Sequence, residues 1–227
     1  MFDSLRFNLQ KRKIKVIVWD IDGTLYQSEG LGNAIVQHYL SYLSKTLRFT
    51  PDRASKLFYA ATEEMGRWSL AMSKLCNKPE EFFIWQIENN IQKHKFIKYN
   101  SSLVRALGLL HKYRHFIVTN GTETNARRIL RTIGFSFRGN RVSPFEKIFA
   151  FDQTGYLKPN SLAFQQVITY TKEHPWQHLV VGDNISSDII PAKNLRMKTV
   201  IVGSRNHTAD FSFVSINRLL EKLVSFS

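Results

Sequence analysis

Four short apolar runs, each stopped by aspartate, asparagine or glycine, constrain this chain more than any other feature. They are IKVIVW at 14–19, HFIVTNG at 115–121, HLVVGDN at 178–184 and KTVIVG at 198–203. Runs so short and so rich in β-branched residues read as strands buried on both faces, the habit of a parallel sheet. Helical patterns fall between them, over 102–113, 123–133, 160–173 and 186–195. In the second of these, Ala126, Ile129, Leu130 and Ile133 share one face. Strands alternating with helices of this length predict βαβ units, and hence an α/β fold with a doubly wound parallel sheet.

Residues 28–97 break the rhythm. Ile35, Val36, Tyr39, Leu40, Leu43 and Leu47 mark an amphipathic helix. Thr50-Pro51 supplies an N-cap and a first-turn proline for a second helix carrying Leu57, Phe58, Ala61 and Met65. Pro79, with Glu80 and Glu81 behind it, opens a third with Phe83, Ile87 and Ile91. No strand pattern occurs there, and the stretch is far longer than a connecting loop. The expected organisation is an α/β core of 1–27 and 98–227 with an all-helical subdomain of 28–97 inserted after the first strand.

Composition narrows the setting. No window reaches the roughly 18 apolar residues that a membrane span requires, and the opening MFDSLRFNLQKRKIK lacks the apolar run of a secretory signal. Cys76 is the single cysteine, which excludes a disulfide framework and a multi-cysteine metal site. A cytoplasmic protein is expected. The net charge is +14. Residues 28–97 hold nine basic against seven acidic residues, so nearly all of the excess lies in the core. A diffuse positive field draws in anionic substrates. The basic residues are scattered and form no nucleic-acid module, so a solvated basic surface is the expected reading and nucleic acid is not the expected partner.

In open parallel sheets ligands bind beyond the carboxyl ends of the strands, and the polar residues of this chain gather there. Asp20 and Asp22 follow the first strand, Thr119 ends the second, Asp183 follows the third, and Asp188 lies about one helical turn further on. Several aspartates with no histidine or cysteine make a hard oxygen site, suited to Mg²⁺ rather than Zn²⁺. Carboxylates crowd together only around a cation. Lys158 adds a positive charge able to balance an incoming phosphate, and Pro159 behind it biases its backbone towards extension. Thr119-Asn120-Gly121 offers a hydroxyl and backbone N–H groups at a strand-to-helix turn, suited to phosphate oxygens.

Asp20-Ile21-Asp22-Gly23-Thr24-Leu25, Thr119-Asn120, Lys158-Pro159 and Gly182-Asp183-Asn184 through Asp188 resemble, in order, the four motifs of the haloacid dehalogenase superfamily. The resemblance spans the whole core, with the insertion where that superfamily places a helical cap. It implies a nucleophilic Asp20 that forms an aspartyl-phosphate, and an Asp22 that protonates the leaving oxygen and then activates water. It also implies a Mg²⁺ held by Asp20, the Asp22 carbonyl and Asp183, with Asp188 ligating through water or orienting Asp183. Thr119, the Asn120 N–H and Lys158 would hold the transferring oxygens. Phosphoryl transfer needs little more than positioning and charge neutralisation, and this set suffices for it. Dehalogenases expel a halide that needs no proton and lack the second aspartate, so Asp22 points to ester hydrolysis. A sugar-phosphate mutase uses the same four motifs and remains the alternative on this core. A non-catalytic basic binding protein is the alternative outside enzymology, and the intact motif set speaks against it.

For the substrate, a small phosphorylated metabolite is expected. Asp-Gly-Thr-Leu-Tyr26 with Ser28 and Gly30 weakly resembles pyrimidine 5′-nucleotidases, although Gly23 stands where that group has asparagine. Trp85 and Glu88, three apart and off the Phe83 face, are the candidate substrate contacts of the cap. The His111/His115 and His174/His178 pairs have i, i+4 spacing but straddle a helix–strand junction and Pro175 respectively, and are read as structural. Asp152 is read as a loop cap, and Arg196 stands where a glycine is expected.

Overall fold

Strand β1 (Val16–Trp19) buries every one of its side chains, which is possible only if helices cover both faces of its sheet. The computed structural model of the chain describes residues 13–139 and 141–225. The amino-terminal segment, in which no secretory signal is expected, lies almost wholly outside them. The chain divides into two compact units, Ser28–Phe96 and the remainder.

The inserted unit is helical: α1 (Glu29–Leu47), α2 (Pro51–Met65), α3 (Trp68–Cys76) and α4 (Glu80–Asn90), then a 3₁₀ turn at Lys93–Phe96. The Ser28 and Thr50 hydroxyls accept from Leu31 and Arg53 N–H, so α1 and α2 start at side-chain caps. Leu43, Phe58, Met72 and Phe83 are fully buried, and the Tyr39 ring contacts those of Phe58 and Phe83. Helix α3 has no side-chain cap at Arg67 and was not expected from the sequence.

The other unit continues with α5 (Ser101–Leu109), β2 (Arg114–Thr119) and α6 (Glu123–Ile133). Next come β3 (Phe137–Arg138), β4 (Arg141–Val142), β5 (Phe145–Ala150), the single turn α7 (Phe151–Thr154) and α8 (Leu162–Thr171). It ends with β6 (His178–Gly182), a π-helical turn at Ile185–Ile189 leading into α9 (Ile190–Asn194), β7 (Lys198–Val202), β8 (Phe211–Phe213) and α10 (Ile216–Ser225). The sheet runs β3-β4-β5-β2-β1-β6-β7-β8. All pairings are parallel except those of the β3–β4–β5 hairpin edge.

Period-two alternation sorts the strand side chains onto two faces. Ile17, Trp19, Ile117, Leu179 and Val181 pack with Leu103, Leu107, Ile129, Leu130 and Leu219, from α5, α6 and α10. Val16, Val18, Phe116, Val118 and Val180 pack with Ala163, Phe164, Val167 and Ala192, from α8 and α9. The sheet is therefore covered on both sides, as a doubly wound architecture requires.

The helix expected over 186–195 begins instead as a π-helical turn, with the Ile190 N–H reaching back to the Ile185 carbonyl. Pro191 has no N–H to continue an ordinary ladder at that point. Arg196 has φ 63°, the left-handed region for which a glycine was expected.

Candidate active site

Strands β2, β1 and β6 are adjacent and parallel, so residues over a hundred positions apart meet at one end of the sheet. Thr119 closes β2, Asp20 leaves β1 and Asp183 leaves β6. Beyond Trp19 the chain makes one tight turn, in which Thr24 and Leu25 N–H both donate to the Ile21 carbonyl. The buried Ile21 and Leu25 side chains anchor that turn in the core. It brings the Thr24 hydroxyl back to donate to Asp20 Oδ2 at 2.8 Å. Gly23 has φ 86°, and a Cβ there would stand 2.1 Å from Asp183 Oδ2. Backbone conformation and close approach each demand glycine at this position.

Lys158 comes from the chain between α7 and α8 and is only 3% exposed. Its Nζ donates to Asp20 Oδ1 and Asp188 Oδ1, both at 2.6 Å. Asp188 Oδ2 accepts the Asn184 N–H at 3.1 Å, so the second oxygen ties Asp188 to the loop that carries Asp183. The Asp188 side chain lies against Gly182, where a Cβ would come within 2.4 Å of it. Thr119 is buried, and its Oγ accepts the Gly121 N–H at 3.1 Å, which engages Gly121 within the turn. Asp22 is half-buried, and its Oδ1 accepts from the Tyr26 hydroxyl.

Asp20, Asp183 and Asp188 bring one oxygen each within 4.8 Å of one another. Lys158 balances one of the three charges. Burial foremost, then Asp188 and Asp183, outweigh Lys158 and raise the Asp20 carboxyl from 3.8 to about 8. Burial and Asp188 likewise raise Asp183 to about 6. Lys158 itself stays firmly charged, because attraction to Asp188 and Asp20 outweighs its own desolvation. Three carboxyl groups against a single ammonium leave the cluster short of positive charge, an arrangement that fits a hard divalent cation. Asp20, Asp183 and Asp188 are therefore the residues that could hold such an ion.

Trp85 and Glu88 belong to the helical unit. Trp85 is 40% exposed, while Glu88 is buried and ion-paired with Lys93 at 2.8 Å. His115 and His178 are buried and structural, and His111 is exposed. His115 accepts from the Trp19 indole and faces the Leu110 carbonyl, and His178 bonds Thr171 and the His174 carbonyl. Asp152 accepts the Glu123 N–H at 2.9 Å, capping the first turn of α6. Sequence reasoning missed Thr24, Tyr26, Asn184 and the side chain of Asn120 as contributors to the site. Each stands in or beside a quoted motif, but the bonds of Thr24 to Asp20, Tyr26 to Asp22, Asn184 to Asp188 and Asn120 to Lys158 carry no signal along the chain.

The family model of haloacid dehalogenase-like hydrolases matches residues 17–202. A glyceraldehyde 3-phosphate phosphatase from Methanothermobacter thermautotrophicus is 24% identical over 216 residues, which are 91% of this chain and 93% of that protein. Among solved structures, a HAD phosphatase from Thermococcus onnurineus superposes with a TM-score of 0.63 at 24% identity, covering 92% of this chain and 97% of that one. An L-2-haloacid dehalogenase from Xanthobacter autotrophicus gives 0.58 at 17% identity, covering 92% and 97%. The same fold thus serves phosphatase and dehalogenase alike, and the reaction has to be read from the site residues.

Proposed function

The chain belongs to the haloacid dehalogenase-like hydrolases, and on that premise we propose that it is a phosphatase, a Mg²⁺-dependent phosphomonoesterase working through a phosphorylated Asp20. The observation that carries the proposal is the convergence of Asp20, Asp183 and Asp188, of which Asp20 and Asp188 are ion-paired with the buried ammonium of Lys158. The carboxylates call for a cation, and a cation beside the ammonium can receive an anion, so Mg²⁺ with a phosphate monoester fits this arrangement. Bound there, Mg²⁺ would neutralise the carboxylates and the phosphate charge.

The chain's own groups carry the steps. Asp20 attacks phosphorus, and an O–P bond to its carboxylate forms as the bond to the leaving alkoxide breaks. Asp22 gives that alkoxide its proton, then takes one from a water whose oxygen displaces the Asp20 carboxylate and releases inorganic phosphate. Lys158 and the Thr119 hydroxyl hold the transferring oxygens, assisted by the Asn120 N–H. Tyr26, through its hydrogen bond to Asp22, holds that carboxylate over the site.

The substrate is a small phosphorylated metabolite. Triose phosphates lead the panel to be tested because the curated relative is named for glyceraldehyde 3-phosphate, and the net charge of +14 favours anions of this kind. Nucleoside 5′-monophosphates come second, with Trp85 and Glu88 as candidate contacts. A cytoplasmic location accords with such a substrate. No helix among the described residues is long and apolar enough to cross a membrane.

An aryl phosphate assay with MgCl₂ tests the reading. Turnover is expected, with loss on adding EDTA and in Asp20→Asn. Full activity in Asp20→Asn would refute the nucleophile, and full activity in EDTA would refute the metal. The same protein then goes through a panel of triose phosphates, other sugar phosphates, phosphoglycolate and nucleotides. Free phosphate as the product supports a phosphatase, and an isomeric sugar phosphate supports a mutase.

A further inference from the structure

Asn120 lies at the end of β2 and Lys158 beyond α7, yet the Asn120 carboxamide pairs with the Lys158 backbone at two points. Lys158 N–H donates to Asn120 Oδ1 at 2.7 Å, and Asn120 Nδ2 donates to the Lys158 carbonyl at 3.0 Å. A primary amide carries one acceptor and a donor pair on a planar group, so it can pair with the N–H and C=O of one residue as a neighbouring strand would. Lys158 sits at the head of a tight turn closed by Asn160 N–H to the Leu157 carbonyl at 2.9 Å. No helix or strand includes it. Its ammonium nevertheless has to reach two carboxylates at 2.6 Å.

We propose that the Asn120 side chain is a positioning residue for the reaction, a clamp that fixes the Lys158 backbone and through it the ammonium between Asp20 and Asp188. This role is separate from the Asn120 N–H at the phosphate, and it rests on the phosphatase reading above. Asn120 adjoins Thr119, so the clamp also ties the Lys158 loop to the strand end that offers the hydroxyl. One side chain thereby sets the spacing of two groups that must grip the same phosphoryl oxygens. Misplacing such groups by about 1 Å can slow an enzyme on the order of 100-fold.

Two measurements test the clamp, one independent of turnover. In the first, lysines are labelled with an amine-reactive anhydride and read by mass spectrometry in wild type, Asn120→Ala and Asn120→Ser. Labelling at Lys158 is expected to rise about tenfold in both variants while the other lysines keep their rates, as a local opening predicts. An unchanged Lys158 rate overturns the clamp even if the phosphatase reading fails. In the second, kcat and KM are compared for Asn120→Ala, Lys158→Ala and the double variant. Asn120→Ala is expected to lower kcat by roughly 10- to 100-fold with a smaller change in KM, the range typical of groups that orient an active-site residue. The double variant is expected to match Lys158→Ala, because a clamp has nothing to hold once the lysine is gone. Multiplied losses in the double variant would show Asn120 acting on substrate directly, and would overturn the clamp. A wild type without turnover, alongside raised labelling in the variants, would leave the clamp standing and remove the phosphatase.

Discussion

Removing the cation should reverse the way stability depends on pH. In the metal-free protein Asp20 titrates near 8 when folded but at its ordinary 3.8 when unfolded. Between those values the folded state binds the extra proton, so stability falls as pH rises through the interval and has its full value only below it. The cluster shares that proton among coupled carboxylates, and Asp183, raised to about 6, adds in the same direction. One such shift of about four pH units corresponds to a loss of several kcal/mol, on the order of 10 °C in Tm for a domain of this size. On the proposed reading Mg²⁺ would bind the ionised carboxylates in place of the proton, so its stabilising effect should grow with pH. The assay is thermal or urea unfolding from about pH 5 to about pH 8.5, in EDTA and in MgCl₂, beside Asp20→Asn as the control that lacks the titrating carboxyl. A metal-free protein as stable at the alkaline end as at the acidic end would refute this reasoning. So would a Mg²⁺ stabilisation equal at every pH.

Asp22→Asn should slow turnover about 100-fold or more while leaving Mg²⁺ affinity near that of wild type, because its carboxyl moves protons. Its loss should be larger with alkyl than with nitrophenyl leaving groups, which need less protonation; steady-state rates across a leaving-group series, with Mg²⁺ titrated separately, decide the point. Arg196→Gly should raise stability by about 0.5–1 kcal/mol, since an exposed arginine held at φ 63° carries left-handed strain that glycine relieves. Chemical unfolding reads that effect, and kcat should not move.

Much of the site was legible because its residues sit where local patterns end. Asp20, Thr119 and Asp183 stand at the ends of apolar runs, and their order along the chain follows the βαβ rhythm. Strand β5 was not legible, since Glu146 and Lys147 interrupt its apolar pattern and are exposed near the hairpin edge of the sheet. Strands β3, β4 and β8 have three residues or fewer, too short for any period to show. Helix α10 does carry Leu219, Leu220 and Leu223 at helical spacing, but it lies beyond the four runs from which the fold was argued. In the helical unit the sequence offered Glu88 as a candidate substrate contact, while packing brings Lys93 to its side.

By itself the sequence determined the alternation of strand and helix, the helical character of the inserted stretch, and which carboxylates, lysine and threonine stand at the candidate site. Those properties are local, set by which side chains must leave water and which must end a strand. Only the tertiary structure decided who holds whom. The partners of Lys158 at Asp20 and Asp188 lie 138 and 30 residues away, and its clamp at Asn120 lies 38 away. Such pairings depend on strand order and loop packing, which no periodicity along the chain records.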